Sequence, residues 1–291
     1  MQWSGRRQSG NVDDQRGSGG GSGGFGGFPG GFFSKGGLIT VAIVLIVGWF
    51  SGINPLSLLQ QISGSSDGSS SSQQVTVNPE ENKKSEFIKV VLADTEDVWH
   101  KLMPEYRDPT LVMFTDGVQS GCGQASASTG PFYCSEDEKV YIDLSFYDDL
   151  QNKLGAPGDF AQAYVIAHEV GHHVQHLLGI TDKVHAMKGQ MSDEEYNKMS
   201  VKIELQADFL AGVWAFHDNQ MKNILDPGDI DEALNAASAI GDDRLQKKFQ
   251  GEVTPDSFTH GTSAQRVYWF RKGFETGDPK QGDTFSDPSL K

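Results

Sequence analysis

HEVGHH, at residues 168–173, lies within a segment, 159–178, whose apolar residues recur every three or four positions. This period predicts an amphipathic helix. On that helix His168 and His172 lie one turn apart on the same face, so both imidazoles can bind one cation at the ~2.0–2.1 Å of zinc–nitrogen bonds. Glu169 lies beside them, as a general base for a metal-activated water should. The motif therefore predicts a zinc site; the competing interpretation is a pair of hydrogen-bonded core histidines.

A second helix, predicted over 193–216, contains a carboxylate that can complete this site. Ser192 and Glu195 form the capping box that begins the helix. Glu204 and Asp208 lie four residues apart on one face, so Glu204 can be the third zinc ligand while Asp208 accepts the free N–H of a ligand histidine. The alternative for Glu204 is a solvated carboxylate, which its apolar neighbours disfavour.

The first 78 residues are predicted to form a membrane anchor with its flanking segments, and not the core of a folded domain. Residues 1–35 are rich in glycine and serine, which predicts a disordered cytoplasmic tail. Residues 36–56 are predicted to form one transmembrane helix, because no charged residue occurs between Lys35 and Asp67. Residues 57–78 predict a flexible linker.

Charge predicts the orientation of this anchor. Four basic residues precede it and none follows before Lys83; the four are Arg6, Arg7, Arg16 and Lys35. The positive-inside rule therefore predicts a cytoplasmic N-terminus and a domain, 79–291, on the periplasmic or extracytoplasmic side. A cleaved signal peptide is the competing interpretation, which the long N-terminal region and the lack of a small-residue cleavage site disfavour.

The acidic balance of the chain excludes one class of partner. The net charge is −15, and the excess of acids lies beyond residue 53. Such a domain repels nucleic acid and anionic headgroups, so neither is expected as a ligand, and the acidity itself serves solubility. Cys122 and Cys134 are the two cysteines of the chain. In an exported domain they predict a disulfide and not a metal pair.

Several other segments complete the predicted domain. A helix is predicted over residues 85–103, and strands are predicted over 111–114 and 139–144. By analogy with other zinc peptidases, strand 139–144 is expected to be an edge strand beside the motif helix, available to substrate backbone. Tyr133, Tyr141 and Tyr147 are expected in the core or at its rim. His173 and His176 are expected to be neighbouring or surface groups.

The C-terminal third offers a candidate for transition-state stabilisation. Peptide hydrolysis builds negative charge on the carbonyl oxygen, and His260 is the candidate that stabilises it, although a plain loop histidine is an equal alternative. Asp242 and Asp243 predict surface ion pairs, since the spacing of a calcium loop is missing. A capping box of Asp229 with Glu232 predicts the start of one helix. Thr262 or Ser263, as an N-cap residue, predicts the start of another.

The order of these motifs resembles that of a known bacterial family, the putative neutral zinc metallopeptidases. The resemblance is carried by GPFYC at 130–134, YIDLSFY at 141–147, HEVGHH at 168–173, ELQAD at 204–208, AIGDDRL at 239–245 and FTHGTSAQR at 258–266. The resemblance also includes the N-terminal anchor with its glycine-rich leader. It covers nearly the whole chain.

The resemblance implies a zincin-like fold in which His168, His172 and Glu204 match the zinc positions and Glu169 the general base. Many members carry cysteines where this chain has Phe209 and Gly282, so one disulfide to the C-terminal tail is absent here. The fold class expected is α+β, a mainly helical zincin-like domain with a small β-sheet, preceded by one transmembrane helix.

Three functions are consistent with the sequence. The first is a membrane-anchored zinc metallopeptidase that hydrolyses peptide or protein substrates with Glu169 as general base. The second is a zinc amidase acting on cell-wall material. The third is a non-catalytic envelope scaffold or quality-control adaptor, which has no need of Glu169. The sequence does not specify an oligomeric state.

Overall fold

The computed structural model describes residues 1–17 and 79–290. The anchor predicted at 36–56 and the linker predicted at 57–78 lie outside the described residues, as does the remainder of the predicted tail. The described part is mainly helical with a small sheet, which confirms the α+β prediction. Among the described helices, none is long and apolar enough to cross a bilayer.

Eight helices and six strands organise the described residues. The helices are α1 (Pro79–Leu102), α2 (Ser145–Asn152), α3 (Asp159–Leu177), α4 (Ile180–Met187), α5 (Asp193–Lys222), α6 (Asp229–Ala239), α7 (Asp242–Phe249) and α8 (Ser263–Thr276). The strands are β1 (Val12–Asp14), β2 (Thr110–Phe114), β3 (Gly117–Ser120), β4 (Gly123–Ser126), β5 (Phe132–Cys134) and β6 (Lys139–Asp143).

The main sheet has the strand order β1-β2-β6-β5. β1, β2 and β6 run parallel, and β5 pairs antiparallel with β6, placing Tyr133 opposite Val140. The prediction that strand 139–144 is the edge strand is wrong, because β6 lies between β2 and β5. Its buried side chains, which include Tyr141, suit an interior strand. The edge beside the motif helix is instead β5, a strand too short for the sequence pattern to reveal.

The prediction of a disordered tail is wrong for residues 1–17. Val12–Asp14 form β1, and the backbone of Val12 is in register with Leu111 of β2. Two hydrogen bonds flank the pairing, from the Leu111 amide to the Asn11 carbonyl (2.9 Å) and from the Gln15 amide to the Met113 carbonyl (2.8 Å). The prediction from amino-acid composition was wrong here, because this segment is ordered by pairing with a distant strand and not by its local conformational propensity.

α3 and α5 form the centre of the domain and approach closely at Gly171, inside the histidine motif. A Cβ at Gly171 would lie 3.0 Å from the Ala207 carbonyl oxygen. The absence of a side chain there lets the two backbones come together, which turns His168 and His172 toward Glu204. α3 ends at Leu177, one residue before the end of the predicted segment, and Gly179 follows the C-cap residue Leu178 in the left-handed conformation.

α8 is held against α5 by a pair of glycines, Gly212 on α5 and Gly273 on α8. A Cβ at Gly212 would lie 2.1 Å from the Phe270 carbonyl oxygen, and one at Gly273 would lie 2.0 Å from the Phe209 carbonyl oxygen. Neither position can hold a side chain without moving the helices apart. This backbone contact brings Arg266, near the start of α8, beside α5.

The predicted capping box of α5 and the predicted N-cap of α8 are present. Ser192 with Glu195 caps α5, and Thr262 caps α8 with a reciprocal bond from Gln265. The box predicted from Asp229 and Glu232 is wrong. Gly228 is the N-cap of α6. The two acids contact other elements instead: Asp229 lies 3.4 Å from the Met1 ammonium, and Glu232 accepts a hydrogen bond from the Phe160 amide.

The C-terminal tail packs on α5 without a disulfide. A Cβ on Gly282 would lie 2.4 Å from the Phe209 ring, so the aromatic ring fills the space beside the glycine. Gln206 donates to the Gly282 carbonyl (2.8 Å), and Thr284 donates to the Lys202 carbonyl (2.7 Å). The tail is therefore fixed by packing and hydrogen bonds.

Candidate metal centre

Three side chains predicted as metal ligands meet between α3 and α5. His168 Nε2 lies 3.1 Å from one carboxylate oxygen of Glu204, and His172 Nε2 lies 3.5 Å from the other. The possible ligand atoms of all three residues lie within 4.8 Å of one another. The juxtaposition expected from the helical spacing is therefore present.

These donor atoms fit a zinc ion. Four ligands at ~2.0–2.1 Å in a tetrahedron stand about 3.4 Å apart, close to the observed separations of the two imidazole nitrogens from Glu204. Two imidazoles and one carboxylate form a donor set typical of catalytic zinc sites, which leave one position for water. His168, His172 and Glu204 are the residues that would hold the ion.

The side chain of Asp208 orients the first histidine. His168 Nδ1 donates to Asp208 at 2.9 Å, which leaves Nε2 to face Glu204. Arg266 donates to both Asp208 oxygens, and the Tyr164 hydroxyl donates to one of them. Asp208 and Arg266 are 0% and 2% exposed, so each buried charge is balanced by the other.

Electrostatics keep both carboxylates of this centre, Asp208 and Glu204, ionised. Burial raises the pKa of Asp208, but Arg266 and His168 outweigh burial and hold it below its usual value. Burial likewise raises the pKa of Glu204, while His172 and His168 hold it well below the usual range. Burial lowers the pKa of His168, yet Asp208 and Glu204 raise it to about 9. In the protein as described, protons compete with a metal for this histidine.

The second histidine has an orienting partner that sequence reasoning missed. His172 Nδ1 donates to the Gln175 side-chain oxygen at 2.8 Å. The Gln175 amide donates to the Ile203 carbonyl (2.8 Å) and to Gln206 (3.0 Å), both on α5. The available signal was the three-residue spacing between His172 and Gln175, which places them on the same helical face.

The centre opens onto a large cleft. The cleft has a volume of about 1600 Å³, and His168, Glu169, His172 and Glu204 contribute to its lining. Glu169, the predicted general base, is 8% exposed and so stands at the cleft wall beside the candidate ligands. The edge strand contributes Phe132 and Tyr133 to the same cleft, together with Cys122.

His260 lines this cleft as well, and Asp242 holds it there. One Asp242 oxygen accepts the backbone N–H groups of Thr259 (2.8 Å), His260 (2.6 Å) and Gly261 (3.0 Å), and the other lies 3.2 Å from His260 Nδ1. The prediction that Asp242 and Asp243 form surface ion pairs is therefore wrong. Asp242 is buried, and Asp243 accepts from the Ser263 amide and hydroxyl.

The neighbouring histidines have structural partners. His173 is fully buried, and its ring contacts the Tyr133 hydroxyl (3.0 Å) and the Arg107 carbonyl (2.6 Å), so it belongs to the core and not to the surface. His176 is partly exposed and lies 3.4 Å from Asp182. Neither belongs to the cluster of candidate ligands.

The predicted disulfide between Cys122 and Cys134 is present. Cys122 lies in the turn of the β3–β4 hairpin, and Cys134 ends β5. The bond therefore ties the hairpin to the edge strand on one side of the cleft. Removing it would free the hairpin from the strand that borders the candidate ligands.

Comparisons with known proteins cover most of the chain. The family described as putative neutral zinc metallopeptidase matches residues 1–285. The uncharacterized protein YpfJ of Escherichia coli strain K12 is 51% identical over 295 residues, covering 98% of this chain and 99% of that protein. The uncharacterized protein Rv2575 of Mycobacterium tuberculosis strain H37Rv is 43% identical over 203 residues, covering 66% of this chain and 68% of the relative. No solved structure matches the chain.

Proposed function

This chain belongs to the putative neutral zinc metallopeptidase family, and we propose on that basis that it is a zinc-dependent peptidase. The observation that supports the proposal best is the convergence of the His168, His172 and Glu204 ligand atoms within 4.8 Å at the wall of a cleft. A structural zinc site is closed by four protein ligands, whereas three ligands beside a cleft suit catalysis.

Zinc, when bound, supplies a Lewis acid that polarises the scissile carbonyl and makes water a better nucleophile. Glu169 then acts as the general base. It accepts a proton as the water oxygen adds to the carbonyl carbon, and it returns this proton to the amine as the C–N bond breaks. The products are a carboxylate and an amine, so no other co-reactant is needed.

His260 is the proposed stabiliser of the charge that develops on the carbonyl oxygen. Asp242 binds one ring nitrogen and three consecutive backbone amides of the His260 loop, so the imidazole is fixed before substrate binds. Burial lowers the pKa of His260, but Asp242 and Glu204 outweigh burial and raise it above its ordinary value. The protonated ring is the form that can donate to an oxyanion.

The substrate proposed is an extended peptide. β5 is an edge strand of the described sheet, and it borders the cleft that contains the candidate ligands. An extended peptide can add to such an edge through backbone hydrogen bonds. The cleft volume of about 1600 Å³ exceeds what a single amino acid fills, which favours a peptide of several residues.

The first test measures zinc and hydrolysis together on the full-length protein, purified without chelators. We expect about one zinc per chain in the wild type and in Glu169→Gln, and a large loss of zinc in Glu204→Ala. Glu194→Ala is the matched control, because its carboxylate is half exposed on the same helix. Absence of zinc from the wild type, with zinc supplied, would overturn the proposal.

Hydrolysis is then assayed with a library of fluorescence-quenched peptides and with peptidoglycan stem peptides. Glu169→Gln is expected to lower turnover by about 10²–10⁴-fold while zinc is retained. Equal turnover in Glu169→Gln and wild type would show that another group is the base. Cleavage of the cell-wall peptides alone would favour the amidase function, and turnover in neither set would favour the scaffold.

A further inference from the structure

Residues 1–17 are an integral part of the described domain. Apart from the β1–β2 pairing, the Gln2 amide donates to the Ile224 carbonyl (2.7 Å), and the Ser9 amide donates to the Lys89 carbonyl (2.9 Å). The Trp3 ring packs edge-on against Phe87 with centroids 5.4 Å apart. The segment therefore contacts the sheet, α1 and the loop after α5.

Arginine side chains of this segment neutralise buried acids of the domain. Arg6 lies 2.6 Å from Asp94, which is 2% exposed. Arg7 lies 2.9 Å from Glu96, a carboxylate that also accepts from the Ser9 hydroxyl and the Asn11 amide. Asp94 is also paired with Lys222 (2.7 Å), so Glu96 is the buried carboxylate that would lose its charge partner if the segment left the domain. A buried carboxylate without a partner is costly, so the contact of Arg7 with Glu96 favours the docked segment.

The same arginines carried the prediction of membrane orientation. Of the four basic residues before the apolar stretch, Arg6 and Arg7 pair with α1, and Arg16 pairs with Asp14 beside β1. These charges therefore have partners within the fold. The positive-inside rule applies to basic side chains near a membrane span that are free of partners in a folded domain. Because these arginines have such partners, the rule supports the predicted orientation of this N-terminus less strongly.

Docking of residues 1–17 also constrains topology. One crossing of a bilayer between residues 17 and 79 would place the two partners of the β1–β2 pairing on opposite sides. Two crossings need about 40 apolar residues, and the uncharged run from 36 to 66 contains 31. A single crossing is therefore incompatible with the paired strands, and the uncharged run is too short for two crossings.

We propose that residues 1–17 and the metallopeptidase domain lie on the same side of the membrane, joined as one folded unit. The single-pass orientation expected from the sequence, with the N-terminus in the cytoplasm and the domain outside, is incompatible with this unit. The proposal does not depend on zinc or on peptide hydrolysis, so the two proposals fail separately.

The first experiment tests docking in the full-length chain in native membranes. The side-chain amide of Gln2 donates to the Asp226 carboxylate at 2.7 Å, and both side chains lie at the surface. A chain carrying Gln2→Cys and Asp226→Cys is treated with a short bismaleimide. The native cysteines are joined in a disulfide and do not react. We expect an intramolecular cross-link in more than half of the chains and none in the two single variants.

The second experiment locates the two parts relative to the membrane. Ser4→Cys and Asn152→Cys introduce thiols at exposed positions in the N-terminal segment and in α2. Intact cells and inside-out vesicles are labelled with a membrane-impermeant maleimide. The proposal predicts that both thiols are labelled in the same preparation. Labelling of the two thiols in opposite preparations, with no cross-link between Gln2→Cys and Asp226→Cys, would overturn it.

Discussion

Arg266 donates two hydrogen bonds to Asp208, from Nε at 2.8 Å to one carboxylate oxygen and from Nη2 at 3.0 Å to the other. The same carboxylate accepts from His168 Nδ1, so the guanidinium binds the side chain that orients the first candidate zinc ligand. In the fold Arg266 is a positioning residue, because it fixes the partner of His168.

Replacing Arg266 with methionine is expected to destabilise the domain. The change leaves Asp208 buried without its charge partner, which costs about 3–5 kcal/mol of unfolding free energy. The measurement is the urea midpoint of the full-length protein. Arg271→Met, at an exposed position of the same helix, is the control and should change the midpoint little. Equal midpoints for the two variants would contradict the structural role of the pair.

Substitutions in the His260 loop test the proposed oxyanion contact. His260→Asn is expected to lower kcat by about 10²–10³-fold with little change in zinc content. Asp242→Asn removes the group that raises the pKa of His260. The protonated imidazole is then lost at lower pH, so the alkaline limb of the activity profile should move to lower pH. His100→Asn, exposed on α1, is the control.

An unchanged pH profile in Asp242→Asn would show that His260 does not titrate in the reaction. An unchanged kcat in His260→Asn would remove His260 from the mechanism. Zinc content must be measured in both variants, because Asp242 also holds the backbone of the loop.

The contact between α5 and α8 should tolerate no added methyl group. Gly212→Ala and Gly273→Ala each place a Cβ within about 2 Å of a backbone oxygen of the facing helix. We expect a loss of about 1–3 kcal/mol or more in unfolding free energy, because the helices must separate. Gly10→Ala is the control, since a Cβ there meets nothing within 4 Å. Wild-type stability in both helix variants would show that the helices are not in backbone contact.

A buried acid on α5 predicts a dependence of stability on pH. Burial, with Asp94 nearby, raises the pKa of Asp218 to about 7, although Lys222 opposes the shift. The folded state therefore holds this proton at pH values where the unfolded chain has lost it. The resulting stability is present below the ordinary carboxyl pKa of about 4 and is lost as pH rises toward 7.

Asp218→Asn should consequently flatten the fall in unfolding free energy between pH 4 and pH 7. Urea midpoints at pH 5 and pH 8 measure the effect. Asp231→Asn, at an exposed position, should follow the wild type. A variant at Asp218 whose midpoint falls with pH as steeply as that of the wild type would show that another group carries the dependence.

Much of the candidate site was accessible from local spacing. His168 with His172 and Glu204 with Asp208 are each four residues apart, and helical geometry alone places each pair on one face. Arg266 could not be assigned in the same way. Its partner Asp208 lies on another helix, and the contact depends on how closely α5 packs against α8.

The sequence by itself determined the longer helices, the capping box at Ser192, the cap at Thr262, the disulfide pair and the spacing of the candidate ligands. Each depends on residues near one another in the chain or on a single pair of cysteines. Only the tertiary structure decided which strand forms the edge, what Asp242 holds and where residues 1–17 lie. Those outcomes depend on hydrogen bonds and buried charge pairs between distant residues, which no local pattern encodes.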